Sequence, residues 1–122
     1  MNIKNKKMVF LGDSITAPGY AQTDAKTIYW GRFAENDGCT VAHNAIGGSK
    51  IAQSQPLDPT RPYFLSRVPD LPEEADVVVV FGGTNDYGSG SNPLGKMSDR
   101  TDDTFYGALH NLMLALINKY PK

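Results

Sequence analysis

Three short segments carry the residues with chemistry to offer. Gly12-Asp13-Ser14-Ile15-Thr16 puts a serine hydroxyl just past an apolar run, Asn44-Ala45-Ile46-Gly47-Gly48-Ser49 follows a second run, and Gly82-Gly83-Thr84-Asn85-Asp86 follows a third. Read singly, each has an ordinary explanation. A Gly-Asp-Ser triplet arises by chance, a Gly-Gly pair is commonly a turn that needs positive φ, and Asn-Asp after a strand is commonly turn chemistry. Read together, they meet the needs of acyl transfer: a nucleophilic oxygen and two or three hydrogen-bond donors aimed at the oxygen that becomes negative in the tetrahedral intermediate. A glycine offers an unobstructed backbone N–H, an asparagine a neutral side-chain NH₂, and the serine its own N–H. Asp13 and Asp86, which flank these groups, read as loop braces accepting backbone N–H bonds rather than as proton-transfer groups.

Elements that could position such groups are visible in the patterning. The apolar runs Lys7–Leu11, Cys39–Ala42 and Asp76–Phe81 read as strands, the last with four consecutive valines, apolar on both faces as in a sheet covered by helices on both sides. Helical patterns lie between them, which is the rhythm of βαβ units on a parallel sheet. Ile28, Trp30, Phe33 and Ala34 recur at near-helical spacing after a cap at Thr23-Asp24, and the pattern stops at Gly38. Asp102, Asp103 and Thr104 offer an N-cap for a last helix whose apolar face is Phe105, Leu109, Leu112, Met113, Leu116 and Ile117, ending near Lys119. Two stretches read as loops: Gln53–Glu74, with five prolines around a short helix at Tyr63–Arg67, and the Gly/Ser-rich Tyr87–Arg100. The reading is a single α/β domain over residues 1–122, and ligands of an open parallel sheet bind outside the carboxyl ends of its strands.

In order and spacing, the three segments resemble the blocks of the GDSL, or SGNH, hydrolases, serine esterases named for block residues Ser, Gly, Asn and His. Phe10-Leu11-Gly12-Asp13-Ser14-Ile15-Thr16 is similar to the first block, with Ser14 in the nucleophile position. His43–Ser49 is similar to the second, where Gly48 takes the oxyanion glycine position and Gly47 is the one-residue alternative. Gly83-Thr84-Asn85-Asp86 matches the third, which makes Asn85 the oxyanion asparagine. The resemblance covers Met8 to about Lys119 and implies a flavodoxin-like three-layer α/β/α fold with sheet order beginning 2-1-3, no cofactor, and a small acyl ester as substrate. The family's fourth block, an Asp-x-x-His that carries the base, has no counterpart: His43 and His110 both lack an aspartate three residues before them. Without a base a serine hydroxyl is a poor nucleophile at neutral pH, so the chain as given is expected to be inactive or nearly so.

Composition narrows the partners. The 122 residues are 40% hydrophobic, enough for one core, and 12 basic against 13 acidic side chains give a net charge of −1, with no electrostatic footprint for nucleic acid. The apolar run after the basic start is four residues, too short for a signal core or a membrane span, so a cytoplasmic protein is the expectation. Cys39, the single cysteine, reads as a small buried residue, and no ligand cluster implies a metal. His110 reads as a solvated flank of the last helix. The valine-rich third strand, with the first strand as its only neighbour, leaves one edge bare, which calls for a missing C-terminal segment or self-association. Two other functions fit the sequence: a non-catalytic flavodoxin-like module whose loops cradle an anion, with Lys50 as the only basic residue in those loops, and a scaffold that has lost catalysis.

Overall fold

A computed structural model describes residues 2–19 and 26–122, and its internal contacts divide the chain into two compact units, Met1–Gly47 with Leu71–Phe81 and Gly48–Asp70 with Gly82–Lys122. The first unit holds a three-stranded parallel sheet of order β2-β1-β3, built from β1 (Lys7–Gly12), β2 (Thr40–Ala45) and β3 (Val77–Phe81). The parallel 2-1-3 order is that of the expected α/β fold. β1 is central, and Gly12 pairs with both Ala45 and Phe81. The three strands therefore end in one row, and the segments that follow them start level.

Alternation along β1 places Met8 and Phe10 on one face, where they join Ile28, Trp30 and Cys39 in a buried cluster. Helix α1 (Tyr29–Asp37) lies there, with the Phe33 ring stacked on Phe10 at 5.9 Å and Tyr29 meeting Phe10 edge-on at 5.5 Å. It ends at Gly38 in the left-handed region, whose N–H and that of Cys39 both return to the Phe33 carbonyl. Cys39 therefore belongs to the helix cap rather than to the strand, and β2 begins one residue later. β2 also runs to Ala45, three residues beyond the apolar stretch. There the backbone ladder Phe10–His43, Leu11–Asn44, Gly12–Ala45 outweighs the poor strand preference of His and Asn. The proposed cap at Thr23-Asp24 lies outside the described residues. β3 pairs only with β1 among the described residues, and its valines are half-buried rather than covered on both faces, with Phe81 exposed.

The second unit contains α2 (Phe64–Arg67) with a 3₁₀ turn at Val68–Asp70, α3 (Thr84–Ser89) and α4 (Phe105–Lys119). α4 starts where the Thr104 hydroxyl accepts the Gly107 N–H at 3.1 Å. Ala108, Leu112 and Leu116 form its buried row, against α2 and the 3₁₀ turn. The wider face expected from sequence is only partly covered: Met113 is 45% and Ile117 60% exposed, because within this unit one i, i+4 row meets a neighbour and the adjacent row does not. α3 replaces the start of the expected 87–100 loop. Its Gly88 and Ser89 disfavour a helix, which closes through the Tyr87 N–H on the Gly83 carbonyl at 3.0 Å and stops at Gly90 in the left-handed region. No helix of the described residues is long and apolar enough to cross a membrane.

One packing detail fixes the turn after β1. A Cβ on Gly12 would stand 2.2 Å from Thr16 Oγ1 and 2.5 Å from its Cβ, and Thr16 is fully buried. Gly12→Ala should therefore destabilise the chain by about 1–3 kcal/mol, read as a lower urea midpoint at unchanged slope. An unchanged midpoint would show that Thr16 is free to move.

Candidate active site

In the first unit, Ser14 sits at the apex of a tight turn. The Asp13 carbonyl accepts the N–H groups of Thr16 and Ala17 at 3.1 and 3.0 Å, and its carboxylate Oδ1 accepts the Ile15 N–H at 2.9 Å. These bonds wrap the backbone around Ser14 and leave its side chain half-exposed. The turn is anchored from α1: the Trp30 indole N–H donates to the Thr16 carbonyl at 2.8 Å, and the Thr16 and Tyr29 hydroxyls share a hydrogen bond of 2.9 Å. The Ile46 N–H donates to the Gly12 carbonyl at 3.2 Å, tying the segment after β2 to the same turn. Asp13 is buried, and its Oδ2 has no hydrogen-bond partner among the described residues. Burial, with a smaller contribution from the Asp13 charge, raises the Tyr29 phenol above its ordinary range.

Within the first unit, His43 lies back from the strand ends and away from the turn at Ser14. His43 is paired with Phe10, two residues before the strand end, which is about 7 Å back along β1. Its ring is stacked on Trp30 with centroids 4.6 Å apart, and burial lowers its pKa from the ordinary value. His110 is exposed on α4, in the other unit.

In the second unit the structure brings Gly48 and Asn85 to neighbouring positions. Asn85, in the first turn of α3, donates from Nδ2 to the carbonyl of Ser49 at 2.9 Å, the residue after Gly48. A carboxamide has two N–H donors, so one is clamped and one is left. Gly48 adopts φ 75°, which favours glycine, and its N–H donates to no described residue. Asp86 fixes the rest of this loop. Its carboxylate is buried and accepts from two successive amides, Ile51 N–H at 3.0 Å and Ala52 N–H at 2.8 Å.

Residues that sequence reading missed complete the support. Arg67, 3% exposed, lies over the Phe64 ring at 4.8 Å and donates to Ser49 Oγ at 3.0 Å. The Phe64 N–H holds the Lys50 carbonyl at 3.0 Å, and a Cβ on Gly82 would collide with the Phe64 ring at 2.4 Å. Arg61 lays its guanidinium against Gly48, with Nε and Cζ at 3.0 and 3.1 Å from where a Cβ would be. No spacing rule links these side chains to the glycine loops; only the path of the proline-rich segment does. Lys50 is nearly buried and is engaged by Ser91 Oγ and by Asn92 Oδ1 at 3.4 Å. Tyr87 is 93% exposed and, with Asp86, Gly90, Leu94 and Phe105, lines a cavity of about 320 Å³. Asn85 is not among the residues that line this cavity.

A sequence profile of the GDSL-like lipase/acylhydrolase family matches residues 10–122. The chain belongs to this family. No curated protein sequence matches it. Among solved structures, a protein from Lactobacillus plantarum is 35% identical, with a TM-score of 0.81 over 98% of this chain and 53% of that one. A second is 28% identical, with a TM-score of 0.82 over 99% of this chain and 55% of that one. A carbohydrate esterase family 2 enzyme with a carbohydrate binding domain, from Corynascus thermopiles (Myceliophthora fergusii), is 21% identical, with a TM-score of 0.60 over 95% and 42%, a likeness of fold alone. This GDSL-like chain thus spans about half the length of the solved structures it matches.

Asp86 is the residue on which the loop geometry is most exposed to test. Asp86→Ala leaves two buried amides without acceptors and should cost about 3 kcal/mol, while Asp86→Asn, which keeps one acceptor oxygen, should cost clearly less. Urea unfolding of both variants checks this; equal midpoints for the variants and the parent would contradict the bracing role.

Proposed function

We propose that this chain is the nucleophile-bearing half of a serine esterase that cleaves small acyl esters. The observation that carries the reading is the unpartnered Gly48 amide beside an Asn85 carboxamide clamped through one of its two N–H groups. Two neutral donors held by their surroundings suit a developing oxyanion, because they need no reorganisation as charge appears. In the proposed reaction Ser14 Oγ attacks the ester carbonyl and its proton passes to a histidine. The tetrahedral oxyanion is met by the Gly48 N–H and the Asn85 NH₂. The alcohol then departs with that proton, and water releases the acid from the acyl-enzyme.

His43, stacked on Trp30, and His110, exposed on α4, leave the base to be supplied from elsewhere. We assign that role to an Asp-x-x-His block in the remaining half of the domain, added through the edge of β3 that carries no partner among the described residues. Asp13 and Asp86 act as positioning residues. The anion-cradle reading needs a free cation in the glycine loops, and the engagement of Lys50 with Ser91 and Asn92 weighs against it.

In the enzyme completed by that segment, a fluorophosphonate should label the parent and not Ser14→Ala, and Asn85→Ala should lower kcat on a short-chain ester about a hundred- to a thousandfold. The chain by itself should label weakly. Strong labelling without the segment would place the base within residues 1–122, and no labelling of the folded, completed protein would overturn the esterase reading.

A further inference from the structure

The first unit holds a cavity of about 470 Å³ toward the amino ends of its strands, lined by Lys7, Val9, Thr40, Ala42, Pro72 and Glu74 among others. That volume is within the range of small-molecule sites. The pairing of Lys7 with Thr40 and of Val9 with Ala42 puts these four side chains on one face of β1 and β2, opposite Met8 and Phe10. Val9, Ala42 and Pro72 supply apolar surface, and Lys7, Thr40 and Glu74 carry polar groups. Ser14 follows the other end of β1: Lys7 and Gly12 are five residues apart on an extended strand, about 17 Å. The polar end of the cavity is therefore remote from the nucleophile turn.

Its rim presents one charge of each sign. Lys7 Nζ donates to Glu74 Oε2 at 2.6 Å, and the two side chains are 54% and 79% exposed, so the pair by itself adds little to stability. Their hydrogen bond raises the Lys7 pKa and lowers that of Glu74, which keeps both charged at neutral pH. Neither is saturated. An ammonium has three N–H donors and a carboxylate two acceptor oxygens, which leaves two Lys7 donors and Glu74 Oε1. The Thr40 hydroxyl bonds to no described residue. Two further carboxylates stand close by: Asp76, whose Oδ2 accepts the Lys7 N–H at 2.8 Å and whose Oδ1 faces Lys6 Nζ at 3.6 Å, and Glu73, which also lines the cavity.

We propose that this cavity binds a small zwitterion, an α-amino acid with an aliphatic side chain. Its carboxylate accepts from Lys7, its ammonium donates to Glu74 Oε1 and the Thr40 hydroxyl, and its side chain lies on Val9, Ala42 and Pro72. Charge selects this class. A monoanion meets the Glu73 and Glu74 carboxylates, and a monocation meets the Lys7 ammonium. Only a ligand with both charges side by side offers each rim group its opposite. The inference does not depend on the esterase reading, because every group it uses belongs to the first unit and none is Ser14.

The test is NMR of the isotopically labelled chain titrated with leucine, 3-methylbutylamine and 4-methylpentanoate, which share a branched apolar body and differ in charge. Leucine should shift the methyl signals of Val9 and Ala42 saturably and bind about tenfold or more tighter than either analogue. Lys7→Met and Glu74→Gln, both at exposed positions, should each weaken leucine by about tenfold or more, as expected for the loss of a charge-assisted bond. Absence of any shift at the two methyls, an analogue that binds as tightly as leucine, or unchanged affinity in both rim variants would overturn the proposal. Ser14→Ala should bind leucine as the parent does. A loss of binding in that variant would place the ligand at the nucleophile turn instead and would equally overturn it.

Discussion

One carboxylate holds the glycine loop in shape. Asp86 is buried, and both of its oxygens are spent on the successive amides of Ile51 and Ala52. That arrangement is possible because α3, capped by Gly83, delivers Asp86 in its first turn, one residue after Asn85. The same short helix therefore does two things: Asp86 fixes the loop from the far side, and Asn85 clamps it at Ser49. A buried ion with its lone pairs so committed favours a single backbone path over alternatives, since any other path strands a charge. Gly48 then keeps φ 75° and an uncommitted N–H.

A parallel logic governs the turn at Ser14 in the first unit. Asp13 organises the backbone through Ile15, Thr16 and Ala17, and α1 reaches back through Trp30 and Tyr29 to hold Thr16. Gly12 is the consequence: once Thr16 is pinned, nothing larger fits opposite it. In each unit an aspartate carboxylate accepts backbone N–H groups, Asp13 from Ile15 and Asp86 from Ile51 and Ala52. In the proposed esterase, donors and nucleophile held in this way would cost little to organise.

Much of the fold was legible, because apolar runs and helix punctuation are local signals. The three strands, the stop of α1 at Gly38 and the cap of α4 at Thr104 were readable from residue type. What escaped depends on partners distant in sequence. β2 extends to Ala45 because β1 pairs with it, and α3 forms in a Gly/Ser segment around a carboxylate bonded 34 and 35 residues away. The exposed Met113 and Ile117 could not be told from Leu112 and Leu116 by periodicity, which reports an apolar face but not which row meets a neighbour. In the candidate site the glycine blocks were visible and their supports were not. Arg61 and Arg67 enter through the course of the proline-rich segment, which leaves no spacing signature.

The central proposal is geometric: Ser14 as nucleophile, with the Gly48 amide and the Asn85 carboxamide as donors, would serve a single oxyanion. A crystal structure of the completed enzyme with a phosphonate bonded to Ser14 Oγ tests it directly. The account predicts the phosphoryl oxygen about 2.7–3.1 Å from both the Gly48 amide nitrogen and Asn85 Nδ2. A phosphoryl oxygen met by water or by other groups, with Gly48 and Asn85 out of hydrogen-bond reach, would contradict it.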